Sequence, residues 1–307
     1  MTNRTPTMTE PIHIVLAPDK NFAMPAGVAL ASVLQHSAAP GRLRFYILSP
    51  STAPLDARTR AAYQKLAVDS GAKLEWIEYD RQRLDGLRVE GHLAPATYCR
   101  FLIPELLPRL ERCLYLDADL VALDDLAALW DEDVSGAALG AVRDWEKCHG
   151  QRTERDYFNA GVLLMNLRRI RERGLDREWW RVTRERANGA DYDHADQGVL
   201  NAVCAGDCKW LDPRWNIQTG APLTVNPGIV HFTGRGKPWQ FWLGHAYAGK
   251  FWRARWRTPW RWPSAAELGG LVKNLLVLNI SPRKGCYRLS TLGMSLVNIR
   301  REIRKNV

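Results

Sequence analysis

Apolar positions along this chain fall into short runs closed by polar breaks. Ile12–Leu16 is a β-rich run, ended by the polar stretch Ala17–Asn21 and followed by a helical pattern over Ala26–Gln35. Arg44–Leu48 and Leu74–Tyr79 read as two further strands, with an amphipathic helix over Leu55–Ser70 between them. Leu114–Leu116, Ala138–Val142 and Val162–Met165 read as later strands. Strands alternating with helices at this spacing predict βαβ units and an α/β fold, a mostly parallel sheet flanked by helices.

Composition fills in that outline. The chain has 307 residues, 46% hydrophobic and 25% charged, enough for one sizeable core with an appendage. Residues 1–11 are polar and Thr-rich, which predicts a flexible N-terminus and no secretory signal. The six cysteines are scattered, and Cys204 and Cys208, the one close pair, have no neighbours at zinc-ligand spacing; reduced thiols in a cytoplasmic protein are expected. No apolar run, Leu275–Ile280 included, approaches the roughly 20 residues a spanning helix takes.

Charge divides the chain at Gly249. From Lys250 onward thirteen basic residues face two acids, Glu267 and Glu302, so the whole net charge of +10 resides there. Phe251, Trp252, Trp256, Trp260 and Trp262 alternate with Arg253, Arg255, Arg257 and Arg261. The expected organisation is a catalytic domain over 12–249 and a basic, Trp-rich tail over 250–307 that docks on the inner face of an anionic membrane. Packing of the tryptophans on the domain is the competing expectation.

Several short segments carry candidate chemistry. The apolar run Leu114–Leu116 ends in Asp117-Ala118-Asp119, two carboxylates two residues apart where an extended backbone points both to one side. Ligands of parallel sheets collect at such strand ends, and paired carboxylates suit Mn²⁺ or Mg²⁺; a solvated turn is the plainer alternative. His231 ends a second apolar run, and Gly234, Gly236 and Lys237 follow, a loop able to approach an anion closely. Asp196-Gln197 stands ahead of a helical stretch over Gly198–Val203 and could serve as its N-cap. Asn159 precedes small residues at a strand start and reads as either a ligand contact or a turn. Ala17-Pro18-Asp19-Lys20-Asn21-Phe22 is a polar loop where a βαβ fold would hold a base and ribose, though no glycine fingerprint accompanies it.

The order of these segments resembles the family 8 glycosyltransferases, especially the bacterial lipopolysaccharide galactosyl- and glucosyltransferases, over roughly Ile12 to Trp239. Ala17-x-Asp19-x-Asn21-Phe22 is similar to the family's uridine-binding loop, and Thr97-Tyr98-Cys99-Arg100 to a segment whose Arg contacts the donor. Leu114–Asp119 resembles the metal motif, with Ala118 beside the donor. Leu139–Asp144 resembles a later strand whose Asp faces the sugar. Tyr157–Asn166, Asp196-Gln197-x-x-Leu200-Asn201, and His231 with Gly234 and Lys237-Pro238-Trp239 are similar to three further family segments, and His92 resembles a family His near donor or acceptor. The resemblance implies a GT-A-like fold and retaining transfer of a hexose from a UDP-sugar to a glycan or glycolipid. It implies Mn²⁺ or Mg²⁺ on Asp117, Asp119 and His231, with Arg100, Asp144, Asn159, Asp196 and Gln197 orienting the sugar. Two other expectations stay open at this point: nucleotidyl transfer, which would use the same acids and metal, and nucleic-acid binding by the Trp-rich tail; the glycosyltransferase reading expects no nucleic-acid partner.

Overall fold

The computed structural model describes residues 10–87, 95–149, 156–187, 195–234 apart from 223 and 225, 236–241, and 246–269 apart from 266. His92, His194, Cys286 and the tail from 270 onward lie outside them.

Among the described residues, ten strands form two sheets. They are β1 (Ile12–Leu16), β2 (Leu43–Pro50), β3 (Lys73–Tyr79), β4 (Arg112–Leu116), β5 (Leu120–Ala122), β6 (Leu139–Arg143), β7 (Phe158–Asn166), β8 (Cys208–Trp210), β9 (Ile217–Gln218) and β10 (Ile229–His231). The larger sheet has the order β3-β2-β1-β4-β7-β6-β8, the smaller β5-β10-β9. Neighbours in the larger sheet run parallel except where β7 lies between β4 and β6. Val15 and Leu16 of β1, Leu114 of β4 and Val162–Met165 of β7 are all buried on both faces, as expected of near-continuous apolar strands covered by helices.

The reversed strand has a consequence for the site. Because β7 is antiparallel, it starts where β4 and β6 end: Val162 pairs with Leu116, and Arg143 with Phe158. Asn159, Ala160 and Gly161 are therefore carried to the strand ends that hold Asp117 and Asp144. Asn159 sits in extended backbone inside β7 and not in a turn.

Between β4 and β5 the chain leaves one sheet for the other, so Asp117–Asp119 bends and does not prolong the strand. β10 then pairs antiparallel with β5, placing His231 opposite Leu120, while Phe232 N–H donates to Asp119 O (2.9 Å). The corner between two sheets brings both acids to one histidine.

The expected boundary at Gly249 falls inside a helix, Ala248–Trp256, and requires correction. Phe251 and Ala254 are buried beside Val28, Phe232 and Trp239. Burying a side chain such as Phe251 contributes about 1.5–3 kcal/mol. Trp260 lies so close to Gly27 that a Cβ there would sit 2.3 Å from the indole. Arg255 is buried as well, its guanidinium donating to both oxygens of Glu267 at 2.7 and 3.0 Å. Residues 250–262 thus belong to the packed body, while Trp256 (37% exposed) and Trp262 (66%) remain at the surface with Arg253, Arg257 and Arg261. Among the described residues no helix is long and apolar enough to cross a membrane, and Cys99, Cys113, Cys148, Cys204 and Cys208 are free thiols.

Candidate active site

Asp117, Asp119 and His231 offer one ligand atom each, all within 4.8 Å of one another. His231 Nε2 stands 3.1 Å from Asp119 Oδ1 and 3.7 Å from Asp117 Oδ2. Two oxygens and one imidazole nitrogen suit a divalent cation such as Mn²⁺ or Mg²⁺, and the backbone leaves room for them in a specific way. A Cβ on Gly161 would fall 2.1 Å from His231 Cε1 and 2.8 Å from Asp117 Oδ2. Only glycine allows ring and carboxylate to meet over β7.

Each acid is also tied to a base. Lys237 is buried and donates from Nζ to Asp119 Oδ2 and to Phe232 O, both at 2.6 Å. Burial alone would raise the Asp119 carboxyl; the Lys237 ammonium and His231 outweigh it and hold the group well below the usual carboxylate range. Asp117 Oδ1 accepts from Arg100 Nη2 at 2.9 Å and from Tyr115 Oη at 2.8 Å. Arg100 is buried. Its guanidinium also meets Asp196 Oδ2 (3.0 Å), the carbonyls of Thr97 and Ala160, and the Tyr115 ring.

Beside this group lies a network of two amides around the Asp144 carboxylate. Gln197 Nε2 and Asn159 Nδ2 both donate to Asp144 Oδ2 at 3.1 Å, and Gln197 Oε1 accepts from Ala160 N–H at 3.0 Å. Asp196 and Gln197 lie in the first turn of the helix Ala195–Cys204, so Asp196 turns to Arg100 and does not cap from outside. The structure therefore gathers Arg100, Asp117, Asp119, Asp144, Asn159, Asp196, Gln197, His231 and Lys237 into one linked set. Gly234 has φ of +75° with nothing near a Cβ, so its need is conformational.

The loop Ala17–Phe22 is less committed to this set. Asp19 Oδ1 accepts from Asn21 and Phe22 N–H at 2.7 and 3.0 Å, a local turn leading into the helix Ala23–His36. Phe22 meets Trp239 edge to face at 5.9 Å.

Sequence reasoning missed Asn216. It bridges His231 Nδ1 (3.0 Å) and Asn159 Oδ1 (2.9 Å), yet sits in the run Asp212–Ile217, where no spacing signals chemistry.

Known proteins resemble this chain over most of its length. General stress protein A of Bacillus subtilis is 27% identical over 82% of this chain and 95% of its own length. Lipopolysaccharide 1,3-galactosyltransferase of Salmonella typhimurium is 25% identical over 81% and 79%. The solved structure of the galactosyltransferase LgtC, with donor and acceptor sugar analogues, superposes with a TM-score of 0.72 at 24% identity, covering 84% of this chain and all of that one; the fold is GT-A-like. Residues 13–243 match the family described as glycosyl transferase family 8, and the chain is a glycosyltransferase belonging to that family.

Proposed function

We propose that this protein transfers a hexose, galactose or glucose, from a UDP-sugar to a glycan or glycolipid such as lipopolysaccharide, with retention at the anomeric carbon. The convergence of Asp117, Asp119 and His231 beside the Asp144–Gln197 network is the observation that carries the reading. The 1,3-galactosyltransferase relative supports a lipopolysaccharide acceptor.

Asp117, Asp119 and His231 would hold Mn²⁺ or Mg²⁺, which when bound stabilises negative charge on a diphosphate leaving group. Lys237 adds a fixed cation at the same wall, and Gly234 lets the loop before it turn toward an anion. Ala17, Asp19, Asn21 and Phe22 would border the uridine, and Ala118 the diphosphate. Arg100 and Asp196 brace the floor. Asp144, Asn159 and Gln197 would orient the sugar. Both ends of the Gln197 amide are engaged, so it is a poor nucleophile; front-face transfer through an oxocarbenium-like state fits it better than a covalent intermediate.

Trp256 and Trp262, exposed among arginines, support docking of this region on an anionic membrane from the cytoplasmic side. Calorimetry of UDP binding with and without Mn²⁺ tests the core of the reading. Much tighter binding with metal, and release of UDP from a UDP-sugar, are expected. Equal affinity in both conditions, or release of pyrophosphate, would refute it.

A further inference from the structure

We propose that Asn216, backed by Asn159, is a positioning residue that fixes His231 in the tautomer leaving Nε2 free for a cation. The inference deepens the metal reading above and rests on it. It follows from two groups whose hydrogen-bonding sense cannot be reversed. A carboxylate such as Asp144 only accepts, and the backbone N–H of Gly161 only donates.

Between these anchors each amide has one allowed orientation. Asn159 must turn its NH₂ to Asp144 Oδ2 (3.1 Å), which directs Oδ1 toward Gly161 N–H (3.0 Å). That oxygen is then the acceptor facing Asn216, so Asn216 must present Nδ2 to it (2.9 Å). Asn216 Oδ1 is left to face His231 Nδ1 at 3.0 Å, and accepts the ring proton there. Nδ1 carries the hydrogen and Nε2 keeps its lone pair, aimed at Asp119 and Asp117.

The opposite tautomer would place N–H on Nε2, where it would donate to Asp119 and satisfy the corner without a metal. The relay selects against that neutral tautomer. Water cannot easily replace it: Asp144, Asn159, Asn216 and His231 are 8, 7, 2 and 3% exposed. Register supports the same role. β9 pairs in parallel with β10, His231 opposite Gln218, and Asn216 immediately precedes β9. Metal-bound imidazoles are commonly oriented by an acceptor on the far ring nitrogen, and loss of that partner weakens the metal by about 10–100-fold.

The test measures Mn²⁺ binding to the full chain with UDP present, by electron paramagnetic resonance of free and bound Mn²⁺. Asn216→Leu should weaken Mn²⁺ by about 10–100-fold and remove the imidazole nitrogen coupling from the bound signal. Asn216→Asp supplies an oxygen for the same Nδ1–H but sets its second oxygen against Asn159 Oδ1, so it should lose less affinity than the Leu variant and keep that coupling. Wild-type affinity in Asn216→Leu, or an Asn216→Asp as weak as the Leu variant, would overturn the inference. Should circular dichroism show that the Leu variant is unfolded, Asn216→Asp decides alone. Absence of Mn²⁺ binding by the wild type would overturn the metal reading itself, and this inference with it.

Discussion

The two walls of the site meet at the same strand ends yet are balanced in opposite ways. The wall of Asp117, Asp119 and His231 points three electron-pair donors at one spot and leaves Lys237 and Arg100 to offset the charge from behind. The wall of Asp144, Asn159 and Gln197 contains one carboxylate whose donors are already in place at 3.1 Å. One wall would be completed by a cation; the other has its carboxylate satisfied by its own amides. A wall of fixed amides suits the task of holding a neutral sugar in one pose, because it need not reorganise when the sugar arrives.

The sharpest way to break this contrast is Asp119→Ala. It leaves Lys237 buried without its carboxylate and His231 without its nearest acid, and removal of one partner of a buried pair costs about 3–5 kcal/mol. Denaturant unfolding should show that loss, and Mn²⁺ should no longer tighten UDP binding in calorimetry. Stability within 1 kcal/mol of wild type, by the ~1 kcal/mol scale of exposed pairs, would mean that the wall is solvated and not balanced from within.

On the other wall Gln197→Ala separates the two. It deletes a donor to Asp144 and an acceptor for Ala160 N–H, but touches no member of the metal cluster. Misplacing the reacting sugar should lower kcat by about 100-fold, with Mn²⁺-dependent UDP affinity unchanged. A parallel fall in metal affinity would show that the walls act as one unit.

Much of this was legible in the chain. The apolar runs of β1 to β4 predict the sheet, and the resemblance to family 8 groups Asp117, Asp119 and His231. The smaller sheet was not legible, because β5, β9 and β10 are three, two and three residues long, too short for periodicity to register. The packing of residues 250–262 was hidden by Arg255. Phe251, Ala254, Arg255 and Thr258 are the buried stripe of a helix and the turn that follows it, at the usual i, i+3, i+4, i+7 spacing. An arginine in that stripe reads as solvent-facing unless its partner is known, and Glu267 is twelve residues away. Asn216 was invisible for a related reason: an amide's role lies in what it bridges, and its partners are 15 and 57 residues distant.

Gly161→Ala probes how closely the metal wall rests on β7. Its Cβ would meet His231 Cε1 at 2.1 Å, so ring or strand must shift. Overpacking of this kind costs about 1–3 kcal/mol. A lowered melting temperature should accompany weaker Mn²⁺ binding, since the displaced atom belongs to the ligand ring. Unchanged Mn²⁺ affinity would show that His231 has slack the distances do not suggest.

The smallest effect is expected where the walls join, at Arg100. Its guanidinium faces Asp117 on one side and Asp196 on the other, yet the two acids are held differently. Asp117 accepts a hydrogen bond from Nη2, whereas Nε donates to the carbonyl of Thr97 and meets Asp196 only as a close charge at 3.0 Å. Burial accordingly prevails over the Arg100 charge at Asp196 and raises its carboxyl above the ordinary value. A carboxyl raised on folding binds more protons folded than unfolded, so its contribution to stability declines as pH rises from the unfolded value near 3.8 through the raised folded one. Asp196→Asn removes that decline. Thermal unfolding followed from pH 4 upward should give a flatter pH profile for the variant, with stability near neutrality within about 1 kcal/mol of wild type, because Arg100 keeps Asp117. A variant several kcal/mol less stable at neutral pH would show instead that Asp196 is needed as a charge, and that the arginine is shared equally between the two walls.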